Sequence, residues 1–590
     1  MNYSNLPPSH KFQYWSWIFS LATVLGIVFS YLLLSLSFDL SSLEPFPDHL
    51  TLFGIILEEF WDGHFETWLI YQEWLESQNL LEEFYSRLIP PIIIGFMAST
   101  YISFKVLYVA GGRTLDKYVR NTKRLKGEAV KKHAQNELRK QLKNNPKDSA
   151  GVFLHPDVQI TAESEVGNVL ITGKPGSGKT VIINHILSQL LARKTKLLIY
   201  DEKREYTRIL YNPKNTILVA PWDKRSPPWN ISKDLAAEGA PENFVKHIIP
   251  ETSDRIWSNS SRLIMQGLII ALKKSGKPWG WRELYESMIM SDSEIQHQLN
   301  LHFPTALRFI EKNNKTTQGI MITLISDLDW IRLLATAWPT SYENGFSVRH
   351  WVHGKKSRKS LIVQGNQLYT SVGGPLCNAV MGLMVDEFLS RKKRQSCYLI
   401  LDELASLPKT ESLDLWLKIA RDKGGRTVVG TQAISQLKSI YGVTETDSLT
   451  SYFSNLIVLK VGSTGETKNY MSDSLGTTVI ERPQYTEFQG KTSVNWQQLT
   501  QSTVDPTELT QLPIPDAQGV PGFLSINGWN ATYEVVWPYP DLAVIAKSEV
   551  PAEWLKTKGA FHADEQAMDK ETDFKLVPTR ICKRREGIKE

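Results

Sequence analysis

The residues whose spacing promises most chemistry are Gly173, Lys174, Pro175, Gly176, Ser177, Gly178, Lys179 and Thr180. They follow the apolar run Val169-Leu170-Ile171 and lead into Val181-Ile182-Ile183. Strand, then G-x-x-x-x-G-K-T, then helix is the context that a phosphate-binding loop requires. Its glycines let backbone N–H groups turn inward around phosphate oxygens, and the positive end of the following helix lies at the same spot. Lys179 would then reach the β- and γ-phosphates of ATP, and the Thr180 hydroxyl would sit on Mg2+. A glycine-rich turn with no nucleotide is the competing reading, and Gly-Lys-Thr in this setting disfavours it.

Hydrolysis needs a second strand that ends in carboxylates. Far downstream, Cys397-Tyr398-Leu399-Ile400-Leu401 runs into Asp402-Glu403. Asp402 can order the Mg2+ shell, and Glu403 can orient and polarise an attacking water. Acidic pairs after apolar strands also arise by chance, so this pair gains its meaning from the loop upstream. Gln432 ends the strand Thr427-Val428-Val429-Gly430-Thr431, next to the carboxylate strand. There its amide can bond both a γ-phosphate and the attacking water, which makes it a candidate sensor; a polar surface residue is the alternative.

Several elements must position these groups. After the loop's helix comes Lys196-Leu197-Leu198-Ile199-Tyr200-Asp201. Strand, helix and strand so close together make a right-handed βαβ unit of a parallel sheet, which carries Asp201 to the carboxyl edge near the phosphates. A third strand, Thr216-Ile217-Leu218-Val219, follows. Residues 230–338 then show apolar residues at helical spacing with no β-like alternation, so an all-α domain is inserted in the sheet. The sheet resumes at Leu361-Ile362-Val363 and continues through the carboxylate and glutamine strands to Leu456-Ile457-Val458. Residues 412–423 read as an amphipathic helix ended by Gly424-Gly425. The fold class is therefore α/β, with the nucleotide-binding domain at 151–229 and 339–545. A charged C-terminal tail, 546–590, is expected to be mobile.

Residues 15–38 carry no charge until Asp39 and are about long enough to cross a hydrocarbon layer as a helix. A cleavable signal peptide is the competing reading, disfavoured by the length of the run and the lack of an A-x-A site. A second span is expected at 89–110, with a buried soluble helix as its alternative. Residues 38–86 hold eleven acidic residues and no Lys or Arg, whereas Arg113, Lys117, Arg120, Lys123, Arg124, Lys126, Lys131 and Lys132 follow the second span. The positive-inside rule puts both termini and the motor in the cytoplasm and the loop 38–87 outside. Residues 1–110 thus form a transmembrane hairpin, and 111–150 a basic juxtamembrane linker. Trp61, Trp68 and Trp74 suggest a small helical lobe in the loop that could meet another membrane protein. With the whole chain at +5 and residues 38–86 at −11, the remainder carries +16, which suits a polyanionic partner or an anionic membrane surface. Cys377, Cys397 and Cys582 lie far apart without metal-ligand spacing and read as reduced thiols. No zinc motif or nucleophile–base triad stands out.

The order of parts resembles the TraD/TraG-type coupling proteins of conjugative type IV secretion systems. The strongest local match is Leu401-Asp402-Glu403-Leu404-Ala405-Ser406-Leu407-Pro408-Lys409, continuing through Ala420-Arg421-Asp422-Lys423-Gly424-Gly425 to Thr431-Gln432. Weaker similarity covers Phe346-Ser347-Val348-Arg349-His350-Trp351. The resemblance implies a RecA-like P-loop motor, anchored by two spans in the bacterial inner membrane and assembled as a homo-hexamer. It would couple ATP hydrolysis to moving DNA, with its relaxase, towards the inner-membrane components of the secretion channel. By the same resemblance Lys179 and Thr180 hold phosphate and Mg2+, Asp402 orders the metal, Glu403 activates water and Gln432 senses the γ-phosphate. Arg421 occupies the arginine position that reaches a nucleotide, in trans as a finger; a solvated basic residue late in a helix is its plain alternative. The family usually has Gly where Arg204 stands, so a left-handed conformation there would be strained. The long acidic C-terminal extension of some members is missing from the end of this sequence.

Three functions compete. A DNA pump fits the motifs and the charge balance; a receptor that delivers effector proteins keeps the motor and changes the cargo; a nucleotide-gated scaffold dispenses with productive hydrolysis. A chromosome-segregation pump is a relative in mechanism, but the spans expected here and the end of the sequence do not suit it.

Overall fold

A computed structural model of the chain describes residues 48–86, 116–251, 255–310, 315–354, 359–488 and 491–556, with isolated positions at Ser20, Thr23, Val24, Ile93 and Met97. Those positions apart, the two expected spans lie outside the described residues, as do residues 557–590 and Cys582. Among the described residues one helix, Gln367–Leu389, is long and apolar enough to cross a bilayer, and it is mostly buried inside the protein. Two compact units emerge, one of residues Met1–Arg120 and Thr478–Gln501, the other of Asn121–Thr477 and Ser502–Glu590.

In the first unit, helices His49–Asp62 and Glu66–Ser77 form the expected lobe around Leu52, Tyr71, Leu75 and Phe84. Asp48 caps the first helix by accepting from Thr51 N at 2.8 Å, and Gly63 at φ 80° turns the chain back. Trp68 and Trp74 pack on the small core, whereas Trp61 is 90% exposed. Strands β1 (Lys117–Asn121), β12 (Thr477–Phe488) and β13 (Lys491–Ser502) make a three-stranded sheet in the order β1-β12-β13. Residues 478–501, which the sequence reading counts within the nucleotide-binding domain, therefore belong to a different unit.

The second unit is built on a ten-stranded sheet. Its strands are β2 (Lys123–Lys126), β5 (Val169–Thr172), β6 (Lys196–Asp201), β7 (Thr216–Val219), β8 (Ser360–Gln364), β9 (Cys397–Leu401), β10 (Gly425–Thr431), β11 (Asn455–Val458), β14 (Val520–Ile526) and β15 (Ala531–Trp537). The order is β2-β15-β14-β11-β5-β10-β9-β6-β8-β7. From β11 to β7 every pairing is parallel; β14 pairs antiparallel with β11 and with β15, and β2 lies parallel to β15. Every residue of β5, β6, β7, β8, β9 and β10 is buried, as strands covered on both faces must be, which is why all but β10 have apolar interiors. A small hairpin, β3 (Ala150–His155) with β4 (Val158–Thr161), sits under helix Glu128–Asn144. The expected insertion is helical among the described residues, from Ala240–Ile248 to Trp330–Ala337.

Two boundaries move. The basic linker 111–150 enters the fold at β2, where Arg124 pairs with Glu508 at 2.6 Å and with Glu534 at 2.8 Å, and Lys126 pairs with Glu534. Two of its positive charges, Arg124 and Lys126, are thus paired at a sheet edge. The tail expected from 546 is also held as far as 556: Ala546 N donates to Arg208 O at 3.0 Å, Lys224 N to Val550 O at 2.8 Å and Ala552 N to Trp222 O at 2.8 Å. Backbone bonding of this kind is indifferent to side-chain charge.

A buried ion cluster ties the hairpin β3-β4 to the sheet. Glu165, whose side chain is 3% exposed, accepts from Val152 N at 2.7 Å and Tyr398 Oη at 2.8 Å, and pairs with Arg193 at 2.6 Å and Arg426 at 3.0 Å. Removing one member leaves a buried charge uncompensated. Glu165→Ala is expected to cost about 3–5 kcal/mol, read as a clear drop in the thermal unfolding midpoint; an unchanged midpoint would contradict the role of this cluster.

Candidate nucleotide-binding and hydrolytic site

Four strands carry the site residues to one edge. β10 lies between β5 and β9, with Thr431 opposite Thr172 and Val429 opposite Leu401, and β6 lies beyond β9 with Tyr200 opposite Leu401. The carboxyl ends of β5, β10, β9 and β6 therefore present, in that order, the phosphate-binding loop, Gln432, Asp402 with Glu403, and Asp201.

The loop is anchored by its backbone. Gly173 N donates to Thr431 O at 3.1 Å, Lys174 N to Lys460 O at 2.8 Å and Ser177 N to Lys174 O at 3.1 Å. Gly176 and Gly178 adopt φ 73° and 96°, in the left-handed region that glycine tolerates. A Cβ on Gly178 would also come within 2.6 Å of the Val520 methyls, and one on Gly173 would collide with Ser177 Oγ. Lys174, Pro175 and Gly176 form the more exposed crest. Thr180 follows Lys179 in the first turn of helix Lys179–Ala192. Lys179 is buried, and its Nζ donates to Gly173 O at 2.6 Å. Burial holds its pKa below the ordinary lysine value, against the opposing pull of the nearby Glu403 and Asp402 carboxylates. Loop lysine and catalytic-type carboxylate thus share one site, as the sequence requires.

Glu403 Oε1 accepts from Ala405 N at 3.4 Å, at the head of the turn Leu404–Ser406, while its Oε2 is buried with no hydrogen-bond partner in the protein. Burial raises the Glu403 pKa; Lys179 and the Gln432 amide, which lies against this carboxylate, act the other way. Asp402, 5% exposed, accepts from Tyr206 Oη at 3.0 Å. Asp201 faces its own turn: Oδ2 accepts from Thr207 N at 2.6 Å and Thr207 Oγ1 at 2.7 Å, and Oδ1 is buried without a partner. Burial, helped by neighbouring Asp402, pushes the Asp201 pKa up to about 6. Arg204 does take up the left-handed conformation, at φ 63° and ψ 16°.

Arg421 is not brought to this site. It is exposed at the end of helix Glu411–Lys423, and the strand that follows begins at Gly425, opposite Cys397 at the start of β9. It therefore lies at the amino edge of the sheet, and the seven residues of β10 span roughly 20 Å from there to Gln432. Within one chain Arg421 cannot touch a nucleotide bound at Lys179.

The sequence reading missed Tyr206, Thr207 and Gln364. Gln364 closes β8, donating to Thr207 Oγ1 at 3.0 Å and accepting from Trp222 Nε1 at 3.0 Å. A signal was present: a glutamine ending an apolar parallel strand, as Gln432 does on β10.

Glycine cradle, buried lysine and the unpartnered Ser177 Oγ and Glu403 Oε2 fit a triphosphate with Mg2+. The Asp201 carboxyl gives a pH test. It titrates near 6 folded and at an ordinary 3.8 unfolded, so the folded chain binds the extra proton between those values. Its contribution to stability is least favourable above pH 6 and improves as pH falls through 6 towards 3.8. Without nucleotide or Mg2+, the unfolding midpoint of the wild-type chain should gain on that of Asp201→Asn as pH drops from about 7.5 to about 5. A constant gap would refute the shift.

A family model described as the type IV secretion-system coupling protein DNA-binding domain matches residues 152–525. Coupling protein TraD of Escherichia coli (strain K12) is 26% identical over 339 residues, covering 54% of this chain and 46% of that protein, so the match spans about half the length of that relative. Among solved structures, the unbound bacterial conjugative coupling protein TrwBdeltaN70 is similar with a TM-score of 0.63 and 22% identity, over 75% of this chain and 99% of that one. Plasmid coupling protein TrwB in complex with ADP and Mg2+ is similar with a TM-score of 0.62 and 22% identity, over the same shares. The structural likeness establishes the α/β fold. The matched stretch takes in the phosphate-binding loop, the carboxylate strand and Gln432, and on that footing the chain belongs to the TraD/TraG-type coupling proteins of type IV secretion systems.

Proposed function

We propose that this chain is an inner-membrane P-loop ATPase that couples ATP hydrolysis to the passage of DNA, with its relaxase, into a type IV secretion channel. The observation that carries the reading is the convergence of Lys179, Asp402, Glu403 and Gln432 at one sheet edge. A similar protein supports the cofactors, since plasmid coupling protein TrwB forms a complex with ADP and Mg2+. The family's description as DNA-binding and the +16 balance of residues outside the acidic loop support a polyanionic cargo.

Bound ATP with Mg2+ would supply the phosphoanhydride to be cleaved and the counter-charge for its oxygens. The chain's own residues do the rest. Gly173 to Gly178 offer backbone N–H groups to phosphate oxygens, Lys179 adds a buried positive charge, and Thr180 with Asp402 would hold the metal, Asp402 being steadied by Tyr206 Oη. Glu403 takes the water's proton at Oε2: its raised pKa makes it a better base than a solvated glutamate, and Lys179 and Gln432 oppose the part of that rise that burial causes. Gln432, against Glu403, fixes the water's orientation. Arg421, remote from its own site, acts on the nucleotide of an adjacent subunit, which requires a ring such as a homo-hexamer. The acidic lobe at 49–86 meets the channel's inner-membrane components outside, and two spans, 15–38 and 89–110, hold the motor at the membrane.

Lys179→Ala should abolish hydrolysis, and Glu403→Gln should lower kcat by about a hundredfold or more while nucleotide still binds. DNA should accelerate the wild-type chain, and DNA binding should weaken steeply with salt. Hydrolysis unaffected by DNA would overturn the translocation reading; DNA transfer intact in Glu403→Gln would favour the scaffold.

A further inference from the structure

Residues 538–556 do more than end the sheet. β15 finishes at Trp537, opposite Val520, the residue that packs on Gly178 of the phosphate-binding loop. Eight residues later Ile545 N donates to Arg208 O at 2.9 Å, on the helix Glu205–Leu210 that follows β6. In the sheet order β15 and β6 are six places apart, roughly 29 Å at about 4.8 Å per strand. The segment between them makes a tight turn where Leu542 N donates to Pro540 O at 3.1 Å, and it carries the chain from the β15 end of the sheet to the β6 side.

Its far end is fastened around the Asp201 turn. Gln364 Nε2 donates to Ser548 O at 2.9 Å as well as to Thr207 Oγ1. Arg225 Nη1 donates to Lys547 O at 2.8 Å, Val550 N donates to Asp223 Oδ2 at 2.9 Å, and Trp554 Nε1 donates to Pro221 O at 2.9 Å. At the centre, Glu549 forms an ion pair with Arg204, both side chains about one-fifth exposed. Arg204 is the left-handed residue at φ 63° that starts the helix Glu205–Leu210. A non-glycine residue is disfavoured there on the order of tenfold. Its backbone decides where Tyr206, which holds Asp402, and Thr207, which holds Asp201, come to lie.

We infer that Glu549 is a positioning residue for the hydrolytic site: by pairing with Arg204 it keeps a strained turn in place, and through Tyr206 and Thr207 it sets the Asp402 and Asp201 carboxylates. The C-terminal strap thereby links the sheet edge that carries the phosphate-binding loop to the turn that aligns the metal-side carboxylate. For its effect on turnover the inference rests on the proposed ATPase reading; for its effect on the turn it does not.

The test uses the full chain in detergent, with Glu549→Gln, Arg204→Gly and the double variant. Backbone amide exchange at residues 203–208 is followed without nucleotide, and ATP hydrolysis is followed in parallel. Glu549→Gln should speed exchange in that segment about tenfold and lower kcat about three- to tenfold with little change in KM. Glycine adopts φ 63° without strain, so Arg204→Gly should need no partner, and adding Glu549→Gln to it should change neither readout. Wild-type exchange in Glu549→Gln, or a double variant as impaired as Glu549→Gln alone, would overturn the inference. Exchange behaving as expected in a chain that hydrolyses no ATP would sink the ATPase reading and leave the turn's dependence on Glu549 standing.

Discussion

Parallel register is the constraint on which the rest depends. Seven adjacent strands, from β11 to β7, point the same way, so every loop that leaves their carboxyl ends emerges at one edge. A sheet so covered on both faces favours apolar strand interiors, with Arg426 of β10 admitted by its pairing with Glu165, and most polar residues fall at the strand ends. That is why Thr172, Asp201, Gln364, Asp402 and Gln432, all at or just beyond strand ends, gather where a phosphate can be handled. The P-loop and the carboxylate pair stand more than two hundred residues apart in sequence and one strand apart in space.

Electrostatics refine that arrangement without creating it. Buried side by side, Lys179 and Glu403 each shift what the other can ionise, the Asp402 carboxylate acts on both, and burial dominates for both. A lysine made easier to deprotonate and a glutamate made easier to protonate are what a dry cleft imposes on lone charges, and their mutual attraction restrains both. Asp201 shows the limit of this restraint. Its hydrogen bonds from Thr207 do not offset the loss of water, and its carboxyl titrates well above the usual range.

Charge patterning misled the sequence reading where charges are paired across distance. Arg124 and Lys126 read as part of a basic linker, yet they pair with Glu508 and Glu534, some four hundred residues later, on an edge strand. The segment 546–556 reads as a mobile tail because it is polar and follows the last strand, yet its backbone is held by residues near Arg208 and Trp222. Glu165 carries no sequence signal either, since its four partners come from four separate segments. Arg421 shows the converse. Motif order puts it near Gln432 in sequence, and strand direction puts it at the opposite edge of the sheet from the phosphate-binding loop of its own chain.

Local information was enough for whatever depends on neighbours in the chain. Apolar runs marked the buried strands, helical spacing marked the insertion, and Gly176 and Gly178 marked a loop whose backbone must turn left-handed around phosphate. Gln432 beside the carboxylate strand was legible because adjacent parallel strands stack in a predictable order. Tertiary structure alone decided what requires knowing which distant segments meet: that Tyr206 bonds Asp402, that Gln364 ties the Asp201 turn to the strap, and that Glu549 faces the left-handed Arg204. The physical reason is the range of the forces involved. Backbone sterics and side-chain periodicity act within a few residues, whereas burial and ion pairing depend on what the completed fold brings alongside.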